Sequence, residues 1–169
     1  MTQQPLVTLR PARDDDAERL LEWRNDADAI RFSVSGRSVT SEDHARWFAT
    51  RRDDPRVHLW IAELDGTAVG QVRVDDDADG IGVVSVAVAP AHRGRGIGSE
   101  VLRAMVVTVT AETTVRVLRA LVHPDNVGSI RAFEKAGFRV TMAREGDFSV
   151  LERDVGEERT QGTISRPPG

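Results

Sequence analysis

The stretch from 82 to 111 constrains the fold most. An apolar run, "GVVSVAVA" (82–89), stops at Pro90. A short loop follows with Arg93, Gly94, Arg95, Gly96 and Gly98, and then an apolar-periodic segment over 97–111. An apolar run that breaks into glycines and then repeats its apolar residues at helical spacing is a strand handing over to a helix. Such a turn favours anions. The first helical N–H groups lack partners and sit at the positive end of the helix dipole. Glycines let the backbone approach closely, and arginines add charge-assisted donors.

What precedes the turn decides which fold it belongs to. "VHLWIAEL" (57–64) and "TAVGQVRV" (67–74) flank Asp65-Gly66, a strong hairpin signal. The turn therefore follows antiparallel strands rather than opening the chain. A dinucleotide fingerprint needs an early strand and G-x-G-x-x-G, but in "GRGIGS" Gly98 comes one residue too soon. A phosphate-binding P-loop needs Lys-Ser/Thr after its last glycine, and Gly98 is followed by Ser99 and Glu100.

Around this centre, "LVTLR" (6–10) alternates as a first strand. "DDDAERLLEWRNDADAI" (14–30) reads as one acid-started amphipathic helix with Ala17, Leu20, Leu21 and Trp23 apolar. Thr40 with Asp43 resembles a capping box before a second helix carrying Ala45, Trp47 and Phe48. "RVLRALV" (116–122) is a strand, "NVGSIRAFEKAGF" (126–138) a short helix closed by Gly137, and "FSVLERDV" (148–155) a last strand. The order predicts a single α/β domain with one mixed sheet covered by helices. We expect that domain over 1–155 and a polar tail over 156–169.

Composition narrows the class. The 169 residues suit one core. A net charge of -4 argues against a nucleic-acid partner and makes the arginine-rich loop a local feature. There are no cysteines, so disulfides, thiol catalysis and cysteine metal sites are excluded, in keeping with a cytoplasmic protein. No run reaches the ~20 apolar residues of a membrane helix, and "MTQQPLVTLRPARDDD" has no apolar signal core. "DDDADG" (75–80) matches the first half of a calcium loop, but Val86 stands where a bidentate Glu is needed, so no metal is expected.

Arg-x-x-Gly-x-Gly, filled by Arg93, Gly96 and Gly98, resembles the coenzyme A pyrophosphate motif of the GNAT superfamily of N-acetyltransferases. "N-x-x-S-x-x-x-(Y/F)-E-K-x-G-F", met by Asn126, Ser129, Phe133, Glu134, Lys135, Gly137 and Phe138, resembles its downstream signature. The resemblance implies a mainly antiparallel sheet splayed between the 82–89 and 116–122 strands. It implies acetyl-CoA as co-substrate and direct acetyl transfer to a primary amine of a small molecule or a protein N-terminus. Backbone groups of Val86 and Val88 are expected to pair with pantetheine, as an added strand does. The loop Arg93, Gly94, Arg95, Gly96, Ile97, Gly98 and Ser99 is expected to hold pyrophosphate, with Asn126, Ser129 and Phe133 facing the cofactor.

One departure stands out. Many members of the family carry tyrosine at the Phe133 position to protonate the leaving thiolate. This chain has no tyrosine at all. A non-catalytic acyl-CoA-binding module on the same fold is therefore the alternative. For the base, His123 is the first candidate because it titrates in the useful range. Glu63, Ser85, His58 and a water chain are the others. "LEWRND" and "HARWF" resemble a branch that includes amino-sugar-nucleotide and ribosomal-protein N-terminal acetyltransferases. Trp23, Arg24, Arg31 and Trp47 are the acceptor-side candidates, with helix-face core packing the competing role for both tryptophans. No membrane partner is expected, and a homodimer is allowed.

Overall fold

Asp65 and Gly66 take φ values of 49° and 79°, both in the left-handed region that a two-residue hairpin turn requires. They join β2 (Val57–Leu64) to β3 (Thr67–Asp76) in a computed structural model that describes residues 6–157. The expected tail over 156–169 falls almost wholly outside those residues. β1 (Val7–Pro11) pairs with β2, and β3 with β4 (Ile81–Val88), all antiparallel. β5 (Val117–Val122), β6 (Arg139–Glu145) and β7 (Phe148–Asp154) complete one seven-stranded sheet of order β1-β2-β3-β4-β5-β7-β6. Among the described residues β4–β5 is the one parallel pair.

Helices cover both faces. α4 (Ile97–Glu112) and α5 (Val127–Lys135) lie on one, where Val101, Leu102, Met105, Val109 and Phe133 meet Trp60, Val72, Val74 and Leu118. On the other, Leu20 and Trp23 of α1 (Ala17–Arg24) and Phe48 of α3 (Ser41–Arg52) pack on Leu59, Ile61 and Ala89. Leu59 and Ile61 thus face one layer and Trp60 and Ala62 the other, as strand alternation dictates.

Three local expectations need correction. The helix expected over 14–30 is instead a 3-10 turn (Asp14–Asp16), α1, and α2 (Ala27–Phe32). The break lies where Asp26 accepts the N–H groups of Asp28 and Ala29 and so starts a new helix. Asn25 also exchanges two 2.7 Å hydrogen bonds with the backbone of Val39. In α3, Ala45 is exposed and His44 is buried in its place, whereas the Thr40 cap forms as expected, accepting from Asp43 N at 3.1 Å. β6 lies in a stretch, residues 139–147, that the sequence left without an element. It is an edge strand whose apolar Val140 and Met142 point to solvent, so it lacks the alternation of a half-buried strand.

The acidic turn is the β3–β4 hairpin. Asp77 folds onto it, accepting from the N–H groups of Asp79 (2.8 Å) and Ile81 (2.9 Å). That is a local turn device rather than an open ligand set.

Candidate active site

The parallel ladder between β4 and β5 runs only from Ile81↔Val117 to Val84↔Ala120. β4 continues to Val88 and β5 to Val122, so the two strands part beyond Val84. β5 turns instead to β7, where Val122 pairs with Ser149.

Alternation fixes which backbone groups face the gap. Ala89 N–H donates to Val69 O at 2.8 Å, toward β3, and Arg116 N–H donates to Gly80 O at 2.8 Å, on the β5 side. Odd positions of β4 therefore bond to β3, and the N–H and C=O of Val86 and Val88 point into the gap. Val88 O accepts from Arg93 Nε at 3.1 Å.

The glycine loop ends at this gap. Gly94 and Gly96 have φ of 74° and 76°, values at which a Cβ is strained. Gly96 is the N-cap of α4 and, with no side chain, offers no cap hydrogen bond. The Ser99 hydroxyl does not cap either, since it donates to Gly96 O at 2.9 Å. The first helical hydrogen bond of α4 is Glu100 N to Gly96 O, so the N–H groups of Ile97, Gly98 and Ser99 have no acceptor within the helix. A Cβ on Gly98 would lie 3.6 Å from both Ala132 Cβ and Val88 Cγ2, which marks where α4, α5 and β4 converge. Asn126 caps α5 by accepting from Ser129 N at 3.2 Å.

Arg93 is engaged by protein groups. Its guanidinium sits on Asp26 at 2.7 Å. Arg95 is exposed beside it. The Phe133 ring is 2% exposed and packs edge-on against Phe138 at 4.9 Å. Its contribution is packing, since an arene carries no transferable proton.

His123 follows β5 at the rim of the gap, between Phe32 at 5.8 Å and Phe148 at 5.7 Å. Its Nδ1 accepts from Asp125 N–H at 3.2 Å. A neutral ring with Nδ1 accepting carries its proton on Nε2, so in this arrangement His123 presents a donor rather than a base. The other base candidates are placed elsewhere. Glu63 pairs with Arg10 at 2.7 Å near the β1 edge, and His58 pairs with Asp76 at 3.1 Å and stacks on Trp60. Ser85 lies opposite Arg73 on β4, beside the gap.

On the acceptor side Trp23 is a core residue, 7% exposed, and cannot stack a ligand. Trp47 is half-buried beneath the Arg73 guanidinium (5.3 Å). Arg31 lies over Phe32 at 4.9 Å. Arg24 donates through Nη2 to Ser35 Oγ at 2.9 Å, while its Nη1 is shielded from solvent with no partner among the described residues. Burial holds the Arg24 pKa below its ordinary value. Burial, and secondarily the charge of Arg24, lowers that of His44, which is therefore neutral at pH 7. The sequence pattern singles out none of Phe32, Ser35, Phe148 or Asp26, the last of which it places inside one helix over 14–30; their roles depend on partners distant in the chain.

Residues 7–139 match the family model described as Acetyltransferase (GNAT) domain. The chain belongs to that family. An aminoglycoside N(6')-acetyltransferase type 1 of Klebsiella pneumoniae is 24% identical over 147 residues, covering 78% of this chain and 73% of that protein. Among solved structures, aminoglycoside acetyltransferase AAC(6')-Ib with ribostamycin and coenzyme A superposes with a TM-score of 0.75, at 20% identity over 97% of this chain and 99% of that one. Spermidine N-acetyltransferase from Vibrio cholerae, with CoA and spermine, also gives 0.75, at 12% identity over 88% of this chain and 95% of its own. The splayed, mainly antiparallel sheet flanked by helices is the GNAT fold.

Proposed function

We propose that this GNAT member moves the acetyl group of acetyl-CoA to an amine of a small molecule or protein N-terminus, with the β4–β5 gap as its reaction site. One observation carries the reading. The backbone of Val86 and the N–H of Val88, turned away from β3 beyond the end of the parallel ladder, adjoin a helix start left uncapped by Gly96. The N–H groups of Ile97, Gly98 and Ser99 suit a pyrophosphate. The N–H and C=O of Val86 and the N–H of Val88 are the groups offered to an extended amide chain, the Val88 carbonyl being held by Arg93. Acetyl-CoA, when bound, supplies a thioester carbon for a neutral amine to attack, with the thiolate departing. The Val88 N–H is the donor aimed where negative oxygen would develop. With Phe133 inert, thiolate departure relies on water, Ser129 or the positive end of α5.

His123 in its present tautomer orients rather than deprotonates. His123→Ala is expected to lower kcat less than tenfold. A loss of a hundredfold or more, with disappearance of the acidic limb of the pH–rate profile, would make it the base, because general bases contribute about 10²–10⁴.

The acceptor reading rests on Arg24. Its guanidinium, exposed along the Nη2 edge that donates to Ser35 Oγ, favours an amine that also carries a carboxylate or phosphate. This differs from the polycations bound by the structural neighbours, whose low identity leaves acceptor preference free to diverge. A thiol-release assay with acetyl-CoA should compare an aminoglycoside, spermidine and anionic amines. Turnover of the anionic class, with Arg24→Gln raising its KM tenfold or more (one charge-assisted hydrogen bond is worth about 1.5–3 kcal/mol, at about 1.4 kcal/mol per decade), is expected. Turnover of polycations alone would refute this preference. CoA binding without turnover on any amine would favour the alternative motivated by Phe133, an acyl-CoA-binding module.

A further inference from the structure

Arg93 opens the glycine loop, yet two of its three guanidinium nitrogens, Nε and Nη1, donate to protein. Nη1 donates to Asp26 Oδ2 at 2.7 Å and lies 3.5 Å from Asp28 Oδ2; Nε donates to Val88 O at 3.1 Å. The same Asp26 oxygen accepts the N–H groups of Asp28 (3.1 Å) and Ala29 (3.3 Å). One carboxylate oxygen thus starts α2 and holds the arginine. The Arg93 hydrogen bond is the main reason the Asp26 carboxyl sits below the usual carboxylate range.

The partners belong to two halves of the site. α2 is capped by Asp26 and ends at Phe32, whose ring lies 5.8 Å from His123. Val88 ends the splayed strand, and the Val88–Ala89 peptide is held at both ends, by Arg93 at its oxygen and by Val69 O at its N–H (2.8 Å). A planar guanidinium with donors on separate nitrogens can bridge a carboxylate and a carbonyl at once; an ammonium on a flexible stem does so poorly. The Arg93 and Asp26 side chains are 32% and 21% exposed, so solvent only partly screens the pair.

We propose that Arg93 is a positioning residue that clasps the start of α2 to the mouth of the β4–β5 gap, setting the acceptor-side helix relative to the cofactor strand, rather than a side-chain ligand of pyrophosphate. The inference builds on the acetyl-CoA reading above. Its consequence is coupling: filling the gap with coenzyme A steadies Val88, and through Arg93 and Asp26 it steadies α2.

The test compares wild type, Arg93→Gln, Arg93→Lys and Asp26→Asn by calorimetric titration with coenzyme A and by amide hydrogen exchange of α2 with and without coenzyme A. Asparagine caps helices as well as aspartate, so Asp26→Asn removes the charge and keeps the cap. The expected result has four parts. Coenzyme A affinity in Arg93→Gln and Asp26→Asn stays within about threefold of wild type. Both variants exchange α2 amides about tenfold faster. Coenzyme A slows α2 exchange in wild type but not in either variant, with Arg93→Lys intermediate. The Arg93→Gln/Asp26→Asn double variant goes no further than the singles, as expected of one shared contact. A tenfold or greater loss of affinity in Arg93→Gln overturns the proposal, whatever α2 does. So does α2 protection by coenzyme A that survives in Arg93→Gln or Asp26→Asn. If wild type fails to bind coenzyme A, the acetyl-CoA reading falls and the clasp's coupling role with it. If wild type binds and α2 does not respond, the coupling alone fails.

Discussion

Gly96→Val is expected to weaken coenzyme A binding about a hundredfold while leaving the protein folded. Gly96 holds φ of 76° at the cap of α4. A Cβ in that region costs about 1–2 kcal/mol, and more when branched. The relief open to valine is rotation of the peptide that aims the first α4 amides. Losing one or two charge-assisted hydrogen bonds to a phosphate, each worth about 1.5–3 kcal/mol, gives the hundredfold figure at 1.4 kcal/mol per decade. Nothing lies within 4 Å of a Cβ built on Gly96, so the substitution collides with no neighbour. Gly66→Ala is the control, because Gly66 has φ of 79° and equally open surroundings in the β2–β3 turn. It should lower Tm while leaving the titration unchanged. Unchanged affinity in Gly96→Val would remove the glycine turn from the cofactor site.

Asp16→Asn is expected to be the most destabilising single change at a polar residue. Asp16 is 1% exposed. Its carboxylate accepts from Arg10 Nη1 (2.7 Å) and Nη2 (2.9 Å), Arg19 Nη1 (2.9 Å) and Arg13 N (2.8 Å). One residue thereby ties β1 to the start of α1. The amide keeps one acceptor oxygen and places an NH₂ against arginine donors. Removing one partner of a buried ion pair costs about 3–5 kcal/mol; Arg10 keeps Glu63 at 2.7 Å, so the lower end applies. About 3 kcal/mol lowers Tm by about 6–12 °C in a chain of this size, measurable by calorimetry.

The same residue sets an acid limit. The Arg10 hydrogen bond is the largest cause holding the Asp16 pKa below its ordinary value. The unfolded chain therefore binds the proton first as pH falls. The Asp16 contribution is complete above the ordinary aspartate pKa of about 4 and is lost as pH drops from there through the folded value. Asp16→Asn should flatten that part of the stability–pH curve.

Where the sequence was legible, the signal was local and periodic. Asp65-Gly66, the Thr40 cap and the strand-to-helix passage at Arg93–Ser99 each state their own geometry through a turn residue or a cap. The α4 stripe of Val101, Leu102, Met105 and Val109 states which face is buried. Where it was illegible, the cause was a partner far along the chain. Asp16 looks like an acid at a helix start until Arg10 and Arg19 surround it. Asp26 breaks the first helix and engages Arg93, 67 residues away. Trp23 is apolar in any environment, so only packing distinguishes core from ligand platform. His123 shows its tautomer only through the amide of Asp125.

In the proposed reaction the β4–β5 gap and the glycine turn together hold acetyl-CoA for transfer to an amine. The most direct measurement is thiol release from acetyl-CoA by the intact protein across the amine panel, with the acetylated product identified by mass and Gly96→Val run in parallel. One thiol is expected per amine acetylated, with loss of both in Gly96→Val at acetyl-CoA concentrations that sustain wild type. Thiol release that matches wild type in Gly96→Val, or no acetylated amine despite bound coenzyme A, would contradict that reaction.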